Sequence, residues 1–370
     1  MKTSTLITLV ATQLAALGVS LFAAPPQFNS GSNGSLGALV VTNDTTLDMP
    51  PDGIFHYTTI TVAHRATLRF NKNPLNTPVY LLATGDVAIS GGIDVSAGNA
   101  SGGNGGLGGP GGFDGGQGAY QGHPDGDGQG PGGGKNGFGG GFGYGNSQLS
   151  PLIGGSGGSA SGTGGGGGGG AILIASNTKV SLFGDGGSGG TVTALGGSGH
   201  QSPPYSGGGS GGAIRIVAPV VEGSGALDVK TAGYPRGGGT GRTRMDATDR
   251  FKYRDITMTG TFSRGSQMFV FPLNQLRLDI VEAAGTTIPV GTNAPVVVSL
   301  LPGSSTNQVI KVQATNFTND VPITVSIVPE NGASSQFNGL ITLNSGSPSV
   351  GTVNVVIPVD TICHVNVWTR

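Results

Sequence analysis

The sequence predicts an all-β protein. Its expected architecture is a right-handed parallel β-helix with long glycine-rich corner loops, followed by a small immunoglobulin-like β-sandwich. Three observations predict it. Short apolar/polar alternations recur from residue 60 onward with no helical period between them. One strand unit, Gly170-Ala171-Ile172-Leu173-Ile174-Ala175, is echoed by Gly212-Ala213-Ile214-Arg215-Ile216-Val217. An unbroken glycine run, residues 164–170, enters the first of these strands directly, so the glycine-rich stretch is an excursion between strands and not a tail.

Composition narrows the function classes. Of 370 residues only 10% are charged, and 18 basic side chains face 19 acidic ones. That balance argues against a nucleic-acid partner, which needs a basic excess to neutralise phosphates. Glycine accounts for 74 residues, and 37 of these fall between positions 98 and 170, without the every-third spacing of collagen. The low charge also disfavours solvated disorder. The lone Cys363 excludes an internal disulfide framework.

Residues 1–24 have the pattern of a secretory signal peptide. Lys2 precedes an apolar stretch over residues 6–21, and Ala23 and Ala24 stand before Pro25-Pro26. The competing reading is an uncleaved membrane anchor. No later segment reaches the roughly 18 apolar residues that a spanning helix needs, so no membrane span is expected after signal removal. Export sets the expected location as secreted, extracellular or cell-surface.

Residues 25–274 are expected to form the glycine-rich β-helix domain. After an apolar stretch at 39–41 and a turn at 50–53, segments at 60–62, 68–70, 79–81, 87–89 and 93–95 each alternate in the period-2 manner of half-buried strands. The repeated strand units then resume at 170 and 212. A coil this thin cannot bury its own apolar face, so coils must stack and share a core. The inward ladder should contain Val79, Leu81, Ile93, Val95, Ile172, Ile174, Ile214 and Ile216. One corner should carry the loops 97–170, 195–212 and 231–241. Within them glycine pairs could lie side by side as polyproline-II strands, with a disordered linker as the competing reading. From about residue 275 glycine thins, and seven alternating segments at 276–281, 296–300, 309–315, 323–328, 339–343, 351–357 and 363–367 suggest the sandwich, residues 275–370.

The stretch 47–95 contains Pro50-Pro51-Asp52-Gly53, Phe70-Asn71-Lys72-Asn73 and Leu81-Leu82-Ala83-Thr84-Gly85-Asp86-Val87. With the later Phe113-Asp114, Pro151-Leu152-Ile153-Gly154-Gly155-Ser156 and Ala213-Ile214-Arg215 segments, it resembles a group of glycine-rich exported bacterial proteins of no established activity. The glycine core is more loosely similar to glycine-rich extracellular modules of some receptor kinases, which serve binding. The resemblance implies an exported bacterial β protein.

Candidate site residues are few. Tyr120, Phe142 and Tyr144, with Phe113 and Phe138, could stack on sugars or staple the loop in place. Arg236, Arg242 and Arg244 belong to a basic cluster whose guanidiniums suit carboxylated or sulfated glycans, although Asp246, Asp249 and Asp255 are interleaved and a partly neutralised face is the plainer reading. His123-Pro124-Asp125-Gly126-Asp127 lacks the ligand register of known calcium loops, so Asp125 and Asp127 are read as a polar turn and no metal site is assigned. No cofactor motif survives, because Gly134-Lys135 is followed by Asn136 where a phosphate loop needs Ser or Thr. No catalytic set is assigned; Asp94 and Asp228, at equivalent positions of their coils, are the sole carboxylate pair considered. The expected function is a non-catalytic surface or matrix protein, structural or adhesin-like, with polysaccharide or cell-surface partners. The alternative is a polysaccharide-active enzyme on a β-helix scaffold.

Overall fold

We describe a computed structural model over residues 27–370, apart from 120–123, 136–138, 184–189, 202, 204, 232–235, 250, 293, 331–332, 344–347, 360 and 370. The expected signal segment therefore lies outside the described residues. The described residues are all-β, with parallel sheets followed by antiparallel ones.

Three parallel ladders carry residues 38–265. The first joins β1 (Ala38–Val41), β4 (Thr59–Val62), β7 (Val87–Ile89), β10 (Lys179–Leu182) and β12 (Ala213–Gly223). The second joins β3 (Ile54–Tyr57), β6 (Val79–Ala83), β9 (Ala171–Ser176), β12, β14 (Arg242–Asp249) and β16 (Thr261–Gly265). Because the long β12 belongs to both, these ladders merge into one ten-stranded sheet. The third is a separate six-stranded sheet of β2 (Thr45–Asp48), β5 (Thr67–Asn71), β8 (Gly92–Asp94), β11 (Thr191–Thr193), β13 (Ala226–Asp228) and β15 (Thr257–Met258).

Register explains why the sequence repeats as it does. Ile172 and Ile174 stand opposite Ile214 and Ile216 on one side, and opposite Val79 and Leu81 on the other. Leu68, Ile93, Val192 and Leu227 stack in the same manner across the second sheet. All eight residues expected on the inward ladder lie in one apolar core between the sheets. Burying each such side chain contributes about 1.5–3 kcal/mol relative to exposure.

Several strands escaped the sequence reading. The alternation of β14, Arg-Thr-Arg-Met-Asp-Ala, looks like a solvated charged strand. Here Met245 and Ala247 enter the main core, while Arg242, Arg244 and Asp246 point to the opposite face and are buried there. That face is covered by a second apolar cluster, in which Leu149, Leu152 and Val270 pack with Tyr80, Leu82, Leu173 and Val217.

The glycine-rich excursions are ordered, and they pack by backbone. In the run 164–170 each amide donates in one of three directions, repeating every three residues. Gly164, Gly167 and Gly170 donate to Gly102, Gly98 and Val95 at 2.9, 3.2 and 2.8 Å. Gly165 and Gly168 donate to Gly116 and Phe113, both on one neighbour, and Gly166 and Gly169 to Gly207 and Ser210 on another. The carbonyls are used with the same period. Those of 165 and 168 accept from Gly106 and Gly109, those of 166 and 169 from Gly158 and Gly155, and those of 164 and 167 from His200 and Gly197. Three residues per turn is the period of a polyproline-II strand, whose backbone has no internal hydrogen bonds and so must find partners outside itself. Residues 164–170 thus run through the middle of six extended neighbours, drawn from two of the predicted corner loops, 97–170 and 195–212.

Glycine is required there for space. A Cβ built on Gly166 would sit inside the Gly197 carbonyl, and one on Gly168 inside that of Gly155. Each ordered glycine loses about 1–2 kcal/mol of backbone entropy, and each satisfied hydrogen bond returns about 0.5–1.5 kcal/mol net. The lattice is therefore viable only where nearly every amide and carbonyl is paired.

Residues 277–369 form two antiparallel sheets. One contains β17 (Arg277–Ala283), β18 (Thr286–Thr287), β19 (Asn307–Thr315) and β22 (Ser349–Val356). The other contains β20 (Val321–Pro329), β21 (Ser335–Ile341) and β23 (Cys363–Thr369). Ile310, Val312, Val353 and Val355 of the first share a core with Val321, Ile323, Val325 and Ile327 of the second. Six of the seven expected strands are present. Residues 296–300 are not a strand; Val297 is 88% exposed, so this apolar stretch has no sheet to join.

Candidate functional site

The glycine lattice meets the antiparallel sheets along a crevice of about 860 Å³, within the usual range for ligand sites. One wall comes from the glycine-rich excursion, through Phe113, Pro131, Tyr144, Asn146 and Ile153. The other comes from Leu278, Phe317, Asn319, Asp320 and Trp368. Its ends are fixed by specific contacts. Phe113 meets Trp368 edge-on with ring centroids 5.8 Å apart, a favoured aromatic geometry. The Tyr144 hydroxyl donates to the Thr369 carbonyl. Nearby, the Ser326 hydroxyl donates to Gln129 Oε1, and Gln129 Nε2 donates to the Ser334 hydroxyl, each at 2.6 Å.

Trp368 is buried, yet its indole N–H has no hydrogen-bond partner. Leaving such a donor unsatisfied costs about 1–3 kcal/mol. Asp320 is the one carboxylate of the lining, and its Oδ1 accepts the Leu343 amide at 2.9 Å.

Behind the Tyr144 wall, residues 145–153 form a strap across the outer face of β14. Three bonds hold it. Arg242 Nη2 donates to the Ile153 carbonyl at 3.0 Å, Arg244 Nη1 to the Ser147 carbonyl at 3.2 Å, and the Ser263 hydroxyl to the same carbonyl at 2.6 Å. Beneath the strap, Asp246 is fully buried between two arginines. Its Oδ2 accepts from Arg215 Nε and Nη2 at 3.2 and 3.1 Å and from Arg244 Nε at 2.7 Å, and its Oδ1 accepts from Arg244 Nη2 at 2.7 Å. The Arg215 guanidinium also lies 4.7 Å from the centroid of Phe269. Burial pulls Arg215 below its ordinary basicity, against the opposing charge of Asp246. Burial also pushes the neighbouring Tyr80 phenol up to about 12.

The six predicted contact residues are thus not one surface. Tyr144 lines the crevice, and Phe142 is exposed on the lattice. Arg236 is half-buried, and its carbonyl accepts the Gly208 amide at 2.7 Å. Tyr120 lies outside the described residues, as do Phe138 and His123. Arg242 and Arg244 are 7% exposed each, so neither presents its guanidinium on an open face. Burial on β14 is the reason: their strand has a cover on both sides. Asp246 pairs with Arg244 and Arg215 but not with Arg242. Trp368, Asn319 and Phe317 were missed, because only the fold brings them opposite the glycine-rich wall.

Asp94 and Asp228 do share a ladder, with Thr193 between them. At a strand spacing of about 4.8 Å they are roughly 10 Å apart. Each is engaged sideways: Thr193 donates to Asp94 at 2.9 Å, and Thr259 and Lys230 to Asp228 at 2.7 and 3.2 Å. Burial opposes the Asp228 charge, but these hydrogen bonds outweigh it and hold the carboxyl below its ordinary range. Asp125 Oδ1 accepts the Ala119 and Gly162 amides at 2.9 and 2.6 Å. Among the described residues no group of three or more His, Cys, Asp or Glu side chains could hold a metal ion. No helix among them is long and apolar enough to cross a membrane. No family model matches the chain, and no curated protein or solved structure shows significant similarity to it.

Proposed function

We propose that this is a non-catalytic exported surface or matrix protein, structural or adhesin-like, that holds a polysaccharide in the crevice between its glycine lattice and its antiparallel sheets. In this reading residues 1–24 direct export, the three parallel ladders are successive faces of a right-handed parallel β-helix, and the last two sheets form an immunoglobulin-like sandwich. The right hand follows from the strong bias of parallel crossovers. One observation carries the binding claim. The crevice offers Tyr144, Phe317 and Trp368 beside Asn146, Asn319 and Asp320, the mixture of aromatic faces and fixed polar groups that sugar rings require.

The test is a pull-down of the mature protein on insoluble polysaccharides and producer cells, with released reducing ends assayed in the same tubes. Retention without sugar release, weakened by Asn319→Ala and Phe317→Ala, is the expected result. Sugar release by the purified protein would replace this reading with an enzymatic one and direct attention to Asp94 and Asp228.

A further inference from the structure

Among the described residues Arg242 is the most anomalous charge. It is buried, and its Nε and Nη1 have no hydrogen-bond partner. Its single bond goes to the neutral Ile153 carbonyl. Among the described residues no carboxylate pairs with it, whereas Arg215 and Arg244 share Asp246. Three buried guanidiniums are thus set against one buried carboxylate. Burying a cation without a counter-charge is strongly unfavourable, and a chain optimised for stability alone would not keep one. Its basicity falls to about 10, through burial.

Its position gives this surplus charge a use. The Nη1 group occupies the space where a side chain on residue 145 would begin, and Gly145 has a φ of 104° that favours glycine. Gly145, Tyr144 and Ile153 are all part of the crevice lining. The guanidinium therefore abuts the rear of the crevice wall across one thickness of backbone. Low-dielectric walls focus such a field into the cleft that they enclose.

We propose that the crevice is an acidic-saccharide site: Arg242, acting through the Tyr144–Gly145 wall, selects sugars that carry a carboxylate over neutral ones. This rests on the crevice being the saccharide site, and adds the chemical class. Arg242 is here a positioning residue that sets the field against the one carboxylate of the lining, Asp320, while Tyr144, Asn146, Phe317 and Asn319 make the contacts.

Trp368 is the only tryptophan in the chain, so its emission reports on the crevice without background. The experiment titrates the mature protein with uronate oligosaccharides and with neutral oligosaccharides of equal length, at low and high salt. Wild-type emission should change saturably with the uronate series. The affinity should fall about tenfold or more between low and high salt, and by a similar factor in Arg242→Met, as expected for one lost, partly screened charge. Arg242→Lys should retain much of the preference. Arg242→Met removes an uncompensated buried charge but also the strap's bond to the Ile153 carbonyl, so the two effects should largely offset and the melting temperature should stay close to wild type; that separates a role in selection from one in folding.

Equal response to both series, unaffected by salt, would overturn the acidic-sugar inference and leave the crevice reading in place. Silence with every sugar would overturn both. Should Arg242→Met not fold, the salt dependence of the wild type and the Arg242→Lys titration still decide the matter.

Discussion

The glycine lattice and the parallel winding from which it grows are built on opposite principles. In the winding, side chains stack: Ile172, Ile174, Ile214 and Ile216 fill a shared interior, and the backbone ladders merely align them. In the lattice there are almost no side chains to stack, and residues 164–170 are held by amides and carbonyls aimed at six neighbours. One region is stabilised by what its side chains bury, the other by how closely its backbones approach. The difference teaches that a glycine-rich sequence can specify a packed structure, provided that its strands supply partners in three directions.

The comparison can be broken in stages, beginning with the largest effect. Asp246→Ala should destabilise the winding by about 3–5 kcal/mol, since it strands Arg215 and Arg244 without their shared partner; denaturant unfolding measures this. Gly166→Ala should cost about 3 kcal/mol, the upper part of the overpacking range, because the added methyl meets the Gly197 backbone, which has nowhere to move. Gly103→Ala is the internal control. Nothing lies within 4 Å of its Cβ position, so the substitution should be neutral or stabilise by about 0.5 kcal/mol through the unfolded chain. Equal losses at 166 and 103 would mean that the lattice does not pack as described.

The smallest loss is acid sensitivity in the parallel sheets. The folded carboxyl of Asp228 titrates below its ordinary value of 3.8, so its contribution is present above that pH and is lost as pH falls through the depressed folded value. Asp228 is partly exposed, so the contribution is small, about 0.5–1 kcal/mol after screening. Asp228→Asn should flatten the decline in melting temperature below about pH 4 relative to wild type.

Much of this arrangement was legible in the sequence, for local reasons. Period-2 alternation located the inward ladder, and the echo of Gly170–Ala175 at Gly212–Val217 is seen as a direct pairing of β9 with β12. The three glycine-rich loops could be assigned to one corner, and polyproline-II packing could be named as one of two options. What could not be read was anything set by covers and junctions. The Arg242–Asp249 strand has the pattern of an exposed one, and only the strap at 145–153 buries it. The crevice joins residues more than 200 positions apart, such as Tyr144 and Thr369, and no local pattern encodes such a meeting. The apolar stretch 296–300 misled in the other direction, since its composition suits a strand and its neighbours leave it no partner.

The central claim is that residues 164–170 are a hydrogen-bonded core element, and amide hydrogen exchange tests it most directly. Site-resolved exchange on uniformly labelled mature protein should show these seven glycine amides protected to a degree comparable with Ile172–Ile174 and Ile214–Ile216, with Gly102 and Gly103 at the rim exchanging quickly. Exchange of all seven at the rate of an unstructured glycine peptide would contradict the lattice, and the crevice wall built upon it.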